Sequence, residues 1–279
     1  MLHDTVRNEA FDAVIRDVVK PGDVVLDIGS GSGLLSMMAA RAGASKVYGC
    51  DDHVNMCEAA RMIIAQNGFA DRVTIINKRS TDLVPGVDLP KADLLICEIF
   101  DVGLFGEDAL HTIKHAYKHL LKPDARVLPC AVRVWATPIE SPRLRKRFEV
   151  QSAAGFNVSL FSALADPRVM QVDLNLLDYT PLSDPIPALE LGFGPDLELA
   201  GEQLSQFKCT TSGSLDGFVF WYDLVLDGTH TLSTAPNAAG THWLQGFLPQ
   251  WGEPRHLNEG EHLSLETVYR RYLMWFDLC

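Results

Sequence analysis

A glycine-rich turn between an apolar strand and a helix constrains this chain more than any other feature of its sequence. The run Val24-Val25-Leu26-Asp27-Ile28 is followed by Gly29-Ser30-Gly31-Ser32-Gly33 and then by the apolar, helix-compatible segment 34–41. Glycine adopts backbone angles closed to other residues and has no side chain, so such a turn brings the backbone close to a bound molecule. The surrounding pattern extends the constraint. Segment 5–19 is a helix with Val6, Phe11, Val14, Ile15 and Val18 on one face, and 34–41 is a helix ended by Ala42-Gly43. Strand 46–50 leads to helix 55–66, closed by Asn67-Gly68. Strands 73–76 and 94–97 follow, then helix 108–121, stopped by Lys122-Pro123. Apolar strands alternating with helices predict a doubly wound, Rossmann-like parallel sheet.

The pattern changes after Pro129. Segments 131–138, 218–226 and 262–276 are rich in Val, Leu, Phe, Tyr and Trp without a helical period, and predict antiparallel strands. Between them, 141–165 begins with Arg143, Arg145, Lys146 and Arg147 and continues into a more apolar stretch, which predicts a helical insertion. The expected organisation is therefore 1–129 and 130–279, with an insertion at about 141–178. No apolar run approaches the ~20 residues that span a bilayer, and Met1-Leu2-His3-Asp4 is no secretory leader, so no membrane partner is expected. The six cysteines form no CxxC pair, which predicts reduced thiols, no metal site and a cytoplasmic location. A net charge of −12 argues against a nucleic-acid partner. It suits a cationic partner, or simply aids solubility.

Two details identify the molecule held by the glycine turn. Its spacing is GxGxG rather than the GxGxxG of dinucleotide sites, and Asp27 stands two positions before the first glycine. A carboxylate there repels a pyrophosphate. S-adenosylmethionine has no phosphate and carries an ammonium and a sulfonium, so it is the expected cofactor, with S-adenosylhomocysteine as product. Asp27, Gly29, Gly31 and Gly33 would form its cradle. Asp51, at the end of the second strand, would accept hydrogen bonds from both ribose hydroxyls.

Further motifs resemble one family, the protein arginine methyltransferases. The segment Cys97-Glu98-Ile99-Phe100-Asp101-Val102-Gly103-Leu104-Phe105-Gly106-Glu107 is similar to their double-glutamate loop, and Thr241-His242-Trp243 to their THW loop. Met1-Leu2-His3-Asp4-Thr5-Val6-Arg7 resembles the end of the N-terminal helix that closes over the cofactor. The likeness covers nearly the whole chain. It implies an antiparallel β-barrel after the parallel sheet, and a homodimer in which a helical arm docks on the partner's cofactor domain. The arm would be 141–178, with apolar Val158, Leu160, Phe161 and Leu164. It also implies roles: Glu98 and Glu107 grip the guanidinium, and His242 pairs with Asp4 to organise the site. Arg7 binds the cofactor carboxylate, Ser80 joins the cofactor site, and Trp243 contacts substrate.

The chemistry accounts for these residue types. A guanidinium is planar and permanently charged, and its donors match carboxylates in a fork. Two glutamates nine positions apart, at the two ends of one loop, can hold it from two sides and leave a terminal nitrogen better able to attack. The sequence departs from the family in three places. The lid helix that usually precedes the first motif is not seen before Met1. Lys78-Arg79-Ser80-Thr81-Asp82 stands where an acid near the adenine is usual, which leaves Asp82 as that acid or none. Gly106-Glu107-Asp108-Ala109 has small residues, as in the monomethylating and symmetric-dimethylating branches. Three functions remain open: methylation of arginine in a protein or peptide, methylation of free arginine or a small guanidino metabolite, and a non-catalytic cofactor-binding homologue.

Overall fold

The computed structural model describes residues 1–164, 169–238, 240–250 and 255–279, with side chains 162–164 outside that description. Helix α1 (Thr5–Val18) opens on Asp4, whose Oδ1 accepts the Arg7 backbone N–H at 2.8 Å, and buries Phe11, Val14 and Ile15. There follow β1 (Val24–Ile28), α2 (Leu34–Ala42), β2 (Lys46–Asp51), α3 (Val54–Gln66), β3 (Val73–Asn77), β4 (Ala92–Cys97), α4 (Ala109–His119) and β5 (Leu121–Leu128). The five strands form one parallel sheet in the order β3-β2-β1-β4-β5. The chain runs outward from β1 to β3 and then returns to the other side of β1 for β4. The two strands at this switch point part at their carboxyl ends, where such sheets bind ligands.

Strand β5 was not anticipated. The helix expected to run to Leu121 stops at His119, before Lys122-Pro123, and the chain pairs with β4 from Leu121 onward. Proline removes a ladder donor and is tolerated here because β5 is an edge strand.

Every later strand is antiparallel. These are β6 (Ala131–Glu140), then, after α5 (Pro142–Phe148), β7 (Ser152–Ala153), β8 (Phe156–Asn157), β9 (Met170–Val172), β10 (Thr180–Pro181), β11 (Ile186–Gly192) and β12 (Ala200–Lys208). The last are β13 (Gly213–Leu215), β14 (Gly217–Val225), β15 (Thr231–Ser233), β16 (Gln245–Pro249), β17 (Arg255–Leu257), β18 (His262–Arg270) and β19 (Leu273–Leu278). The largest sheet runs β10-β6-β14-β16-β9, with β11 added on β6 and β15 on β14. A second sheet is β12-β18-β19. Segment 262–276 is therefore a hairpin, turning at Arg271 and Tyr272 rather than running straight. The insertion is less helical than its basic start suggests. After α5 the chain reverses through Ala154 and Gly155, both at positive φ, into the β7–β8 hairpin, and then makes a short 3-10 turn at Ser159–Leu164.

One core cluster runs through both halves, from Phe11 and Leu26 to Phe218, Tyr222 and Phe276. A smaller one forms under the insertion around Ile139, Leu144 and Phe247.

Candidate active site

The glycine turn leaves β1 at the switch point. Gly29, Gly31 and Gly33 all have positive φ, at 74°, 49° and 78°. A methyl group on Gly29 would lie 2.6 Å from the Ile99 side chain, and one on Gly33 would lie 2.9 Å from the tip of Ile64, so the backbone angles favour glycine at all three positions and the space at Gly29 and Gly33 is tight as well. The turn is tied to β2: Gly29 and Ser30 donate their N–H groups to the Cys50 carbonyl at 3.0 and 3.1 Å. Gly31 donates to Asp51 Oδ2 at 3.1 Å, and Asp51 Oδ1 accepts from His53 N at 2.9 Å. The Asp51 carboxylate is thus fixed against the turn.

Asp27 lies underneath, 1% exposed. Its Oδ2 accepts the Ser36 hydroxyl at 2.6 Å, while Oδ1 has no protein partner. Burial pushes its carboxyl up to about 6, against the opposing pull of Ser36 and of the Arg7 charge. Ser30 Oγ and Arg7 Nε are also buried without a partner among the described residues. Buried polar atoms left unpaired are costly. Three around one turn, of both donor and acceptor type, fit a ligand carrying cationic and anionic groups. Beside them opens a cleft of about 730 Å³, lined in part by Gly29, Asp51, Ser80, Ile99, Glu107 and Tyr272. Lys78, Arg79 and Thr81 also reach this cleft, whereas Asp82 is exposed outside its lining.

The N-terminal segment and the Thr241-His242-Trp243 motif meet here, 238 positions apart in sequence. Asp4 Oδ2 accepts both the His242 backbone N–H at 2.7 Å and its ring Nδ1 at 2.8 Å. Burial opposes the Asp4 charge, but hydrogen bonds from Arg7 and His242 outweigh it and hold the carboxyl below its ordinary value. Burial also lowers His242, against the pull of Asp4. The arrangement describes a neutral imidazole that donates from Nδ1 and keeps Nε2 as a free acceptor.

Glu98 and Glu107 sit at opposite ends of the loop that joins β4 to α4. Glu98 is 7% exposed, and Arg7 pairs with it through Nη2. Burial nonetheless pushes its carboxyl up to about 7, helped by the charges of Glu107 and Asp27. Glu107 is exposed at the cleft, and its carboxyl is raised by partial desolvation and by Asp101.

The loop between the glutamates is braced throughout. Trp243 Nε1 donates to the Phe100 carbonyl at 2.9 Å, and the Tyr222 hydroxyl donates to the Asp101 carbonyl at 2.9 Å. Gly106 N donates to Asp101 Oδ1 at 3.1 Å. Trp243 is 6% exposed and supports the loop from below; it does not line the cleft.

The structure thus gathers Asp4, Arg7, Asp27, Asp51, Ser80, Glu98, Glu107 and His242 around one switch point. Sequence reasoning missed the supports: Ser36, Asp101, Tyr222, Arg271 and Tyr272. Gly106, five residues after Asp101, was one available signal, because a side chain there would collide with that carboxylate. Arg271 and Tyr272 could be seen only once the 262–276 hairpin was known.

Known proteins are similar to this chain in sequence and in fold. Residues 9–128 match the family model described as ribosomal protein L11 methyltransferase (PrmA), and residues 133–271 match that of the arginine methyltransferase oligomerization subdomain. The chain is 38% identical over 275 residues to an arginine N(omega)-methyltransferase of Streptomyces achromogenes subsp. streptozoticus, covering 98% of this chain and 76% of that protein. It is 35% identical over 314 residues to the protein arginine N-methyltransferase 7 of Rattus norvegicus, of which it spans 45% of the length. The fold matches a chain of the Trypanosoma brucei PRMT1 enzyme-prozyme heterotetrameric complex with AdoHcy, with a TM-score of 0.82 at 24% identity, over 96% of this chain and 85% of that one.

Proposed function

The chain belongs to the arginine N-methyltransferase family, and from that premise we propose that it transfers a methyl group from S-adenosylmethionine to a guanidinium nitrogen of arginine in a protein or peptide. The observation that carries this reading is the pair Glu98 and Glu107 at the two ends of one braced loop, Glu107 on the cleft and Glu98 buried against Arg7.

S-adenosylmethionine, when bound, supplies an electrophilic methyl group on its sulfonium. Gly29, Gly31 and Gly33 give its cradle, Asp51 holds the ribose, Ser80 flanks the adenine end, and Arg7 and Asp27 meet its charged amino-acid portion. The unpaired Arg7 Nε and Asp27 Oδ1 support that last assignment. Glu98 and Glu107 take the guanidinium from two sides. Their charges draw its positive charge away from one terminal nitrogen, and that nitrogen becomes the nucleophile. His242, neutral and anchored by Asp4, offers Nε2 to the proton that leaves the methylated nitrogen. Trp243 acts at one remove, by fixing the Phe100 backbone between the glutamates.

A second reading, methylation of free arginine, is favoured by one specific observation. The Streptomyces relative, named as an arginine N(omega)-methyltransferase, matches over 76% of its length, against 45% for the rat protein. Incubation with labelled S-adenosylmethionine and either an arginine-rich peptide or free arginine, followed by mass analysis, decides between them. Label on neither would overturn the proposed activity and leave the non-catalytic alternative.

The assembly we propose is a homodimer of cytoplasmic chains, divided into a cofactor part at 1–129 and a barrel-like part at 130–279. Phe156, Leu160, Phe161 and Leu176 stand 70–86% exposed on the insertion, an apolar surface that suits docking on a partner's cofactor part. The Leu164 side chain, also named for this role, lies outside the described residues. No helix among the described residues is long and apolar enough to cross a membrane.

A further inference from the structure

Glu107 is positioned by its backbone alone. Among the described residues its carboxylate has no hydrogen-bonding or ion-pair partner. Its neighbours on both sides are tethered instead. On one side, Gly106 N is bound by Asp101 Oδ1 at 3.1 Å. On the other, Asp108 is clasped by an arginine 163 positions away: Arg271 Nε donates to Asp108 Oδ1 at 2.7 Å, and Arg271 Nη2 to Oδ2 at 2.6 Å. This is the two-bond fork that fixes orientation as well as distance.

Three further facts distinguish the clasp from an ordinary surface ion pair. Asp108 stands at the N-cap of α4, where aspartate usually accepts a backbone N–H of its own helix, yet its side chain makes no such bond. That carboxylate turns instead to Arg271, with His111 Nδ1 also 3.3 Å from its Oδ2. Asp108 also has φ 62° and Arg271 φ 23°, so two of the few non-glycine residues at positive φ are tied to each other. Finally, Arg271 lies at the tip of the β18–β19 hairpin, anchored by its own N–H to the Leu199 carbonyl at 2.7 Å, with its guanidinium 4.6 Å from the Tyr272 ring. Both Arg271 and Tyr272 line the same cleft as Glu107.

We propose that Arg271 is a positioning residue for the methyl-transfer reaction: by clasping Asp108 it lets the antiparallel half of the molecule set where the Glu107 carboxylate stands. The inference rests on the reading of Glu107 as a guanidinium ligand. Arg271 does not itself grip substrate, because its guanidinium carries the same positive charge as the substrate's.

The test is a set of four proteins: the parent, Arg271→Met, Glu107→Gln and the double variant, assayed with arginine peptide and with free arginine. Arg271→Met should lower kcat/KM about tenfold, as expected for misplacing one of two substrate-gripping charges. Affinity for S-adenosylhomocysteine should change less than about threefold, because its cradle lies on β1 and β2. Arg271→Lys, which keeps the charge without the fork, should recover only part of the rate.

The decisive comparison is in the Glu107→Gln background. An arginine that acts through Glu107 has little left to position there, so adding Arg271→Met should cost less than about twofold more, by long single-turnover incubations. A further tenfold loss in that background would overturn the positioning role. A drop in thermal midpoint together with equal loss of cofactor affinity in Arg271→Met would also overturn it, showing a merely structural clasp. Near-parent activity of Glu107→Gln alone is a different failure, and it removes the guanidinium reading beneath the proposal.

Discussion

Glu98 and Glu107 end the same loop and are read as serving the same cation, yet the protein treats them in opposite ways. Glu98 is buried, paired with Arg7, and pushed up to about 7. Glu107 faces the cleft without a partner among the described residues, and its placement comes from the backbone on either side. The difference is one of preparation. Burial strengthens whatever Glu98 does once ionised, because few water dipoles compete, but the same burial makes its charge expensive. Glu107 is also raised, by partial desolvation and by Asp101, but it keeps contact with water and depends on its loop to point it. One carboxylate is constrained electrostatically and the other geometrically.

The largest expected effects come from removing either charge. Glu98→Gln and Glu107→Gln each keep shape and take away one negative charge facing the guanidinium. Losing a charge-assisted bond to a buried cation costs about 2–5 kcal/mol, or roughly thirty- to several-thousand-fold in kcat/KM. The substrate cannot reduce that cost by giving up its proton, since arginine stays charged. Glu98→Gln should be the more damaging, because it also strands the buried Arg7. Isothermal titration with S-adenosylhomocysteine should find Glu107→Gln close to parent. If the exposed glutamate proves the costlier to lose, the division between the two ends of the loop is wrong.

The pH dependence sharpens the same contrast. A carboxyl near 7 must be ionised before it can grip a cation, so kcat/KM should fall as pH drops below about 7, about tenfold per unit. The limb belongs to the free enzyme, and it should survive in Glu107→Gln and disappear in Glu98→Gln. An acid limb that follows Glu107 instead would assign the titration to the wrong end.

Asp4 gives a third and smaller test, since one side chain caps α1 and holds His242. Asp4→Asn keeps an acceptor for the cap but turns an amide N–H group toward the two His242 donors, so the rate should fall about tenfold and the stability carried by the His242 bonds should be lost. Asp4→Ala should lose the rate and also about 1 kcal/mol of stability with the cap. Equal thermal midpoints for the two variants would show that the cap contributes nothing.

These tests turn on contacts of unequal legibility. Four strands of the parallel sheet were readable because they are short apolar runs and each helix between them ends near a glycine or proline signal. The glycine turn, Asp27 and Asp51 followed from local spacing, and the two glutamates from the resemblance of their loop to that of the arginine methyltransferases. β5 was not readable, because Lys122-Pro123-Asp124 looks like a break and only pairing with β4 makes it a strand. The insertion misled because a run of basic residues looks helical, whereas the Ala154-Gly155 reversal acts only through its backbone angles. The braces were hidden for another reason: Tyr222, Trp243 and Arg271 bond to loop residues 121, 143 and 163 positions away, and no local pattern encodes such distances.

The smallest expected effect concerns a third acid, which extends the rule drawn from Glu98. Asp27 is more deeply buried, and its carboxyl is pushed up to about 6 from an ordinary 3.8. A raised acid favours the folded state most when protonated, so its contribution is fully present below about 3.8 and is lost as pH rises through about 6. At pH 8 the ionised group should therefore cost the fold about 1–3 kcal/mol. Asp27→Asn removes that charge and keeps an oxygen for the Ser36 hydroxyl, although the new amide N–H group finds no acceptor ready and returns about 1 kcal/mol of the gain. The variant should thus be modestly more stable than the parent at pH 8 and equal or weaker at pH 4, by urea midpoints at constant m-value. Its affinity for S-adenosylmethionine should fall. Stability gained together with binding lost is the signature of a charge kept for a ligand rather than for the fold. A variant less stable than the parent at pH 8 by more than at pH 4 would show that the Asp27 charge supports the turn itself, and would separate it from Glu98.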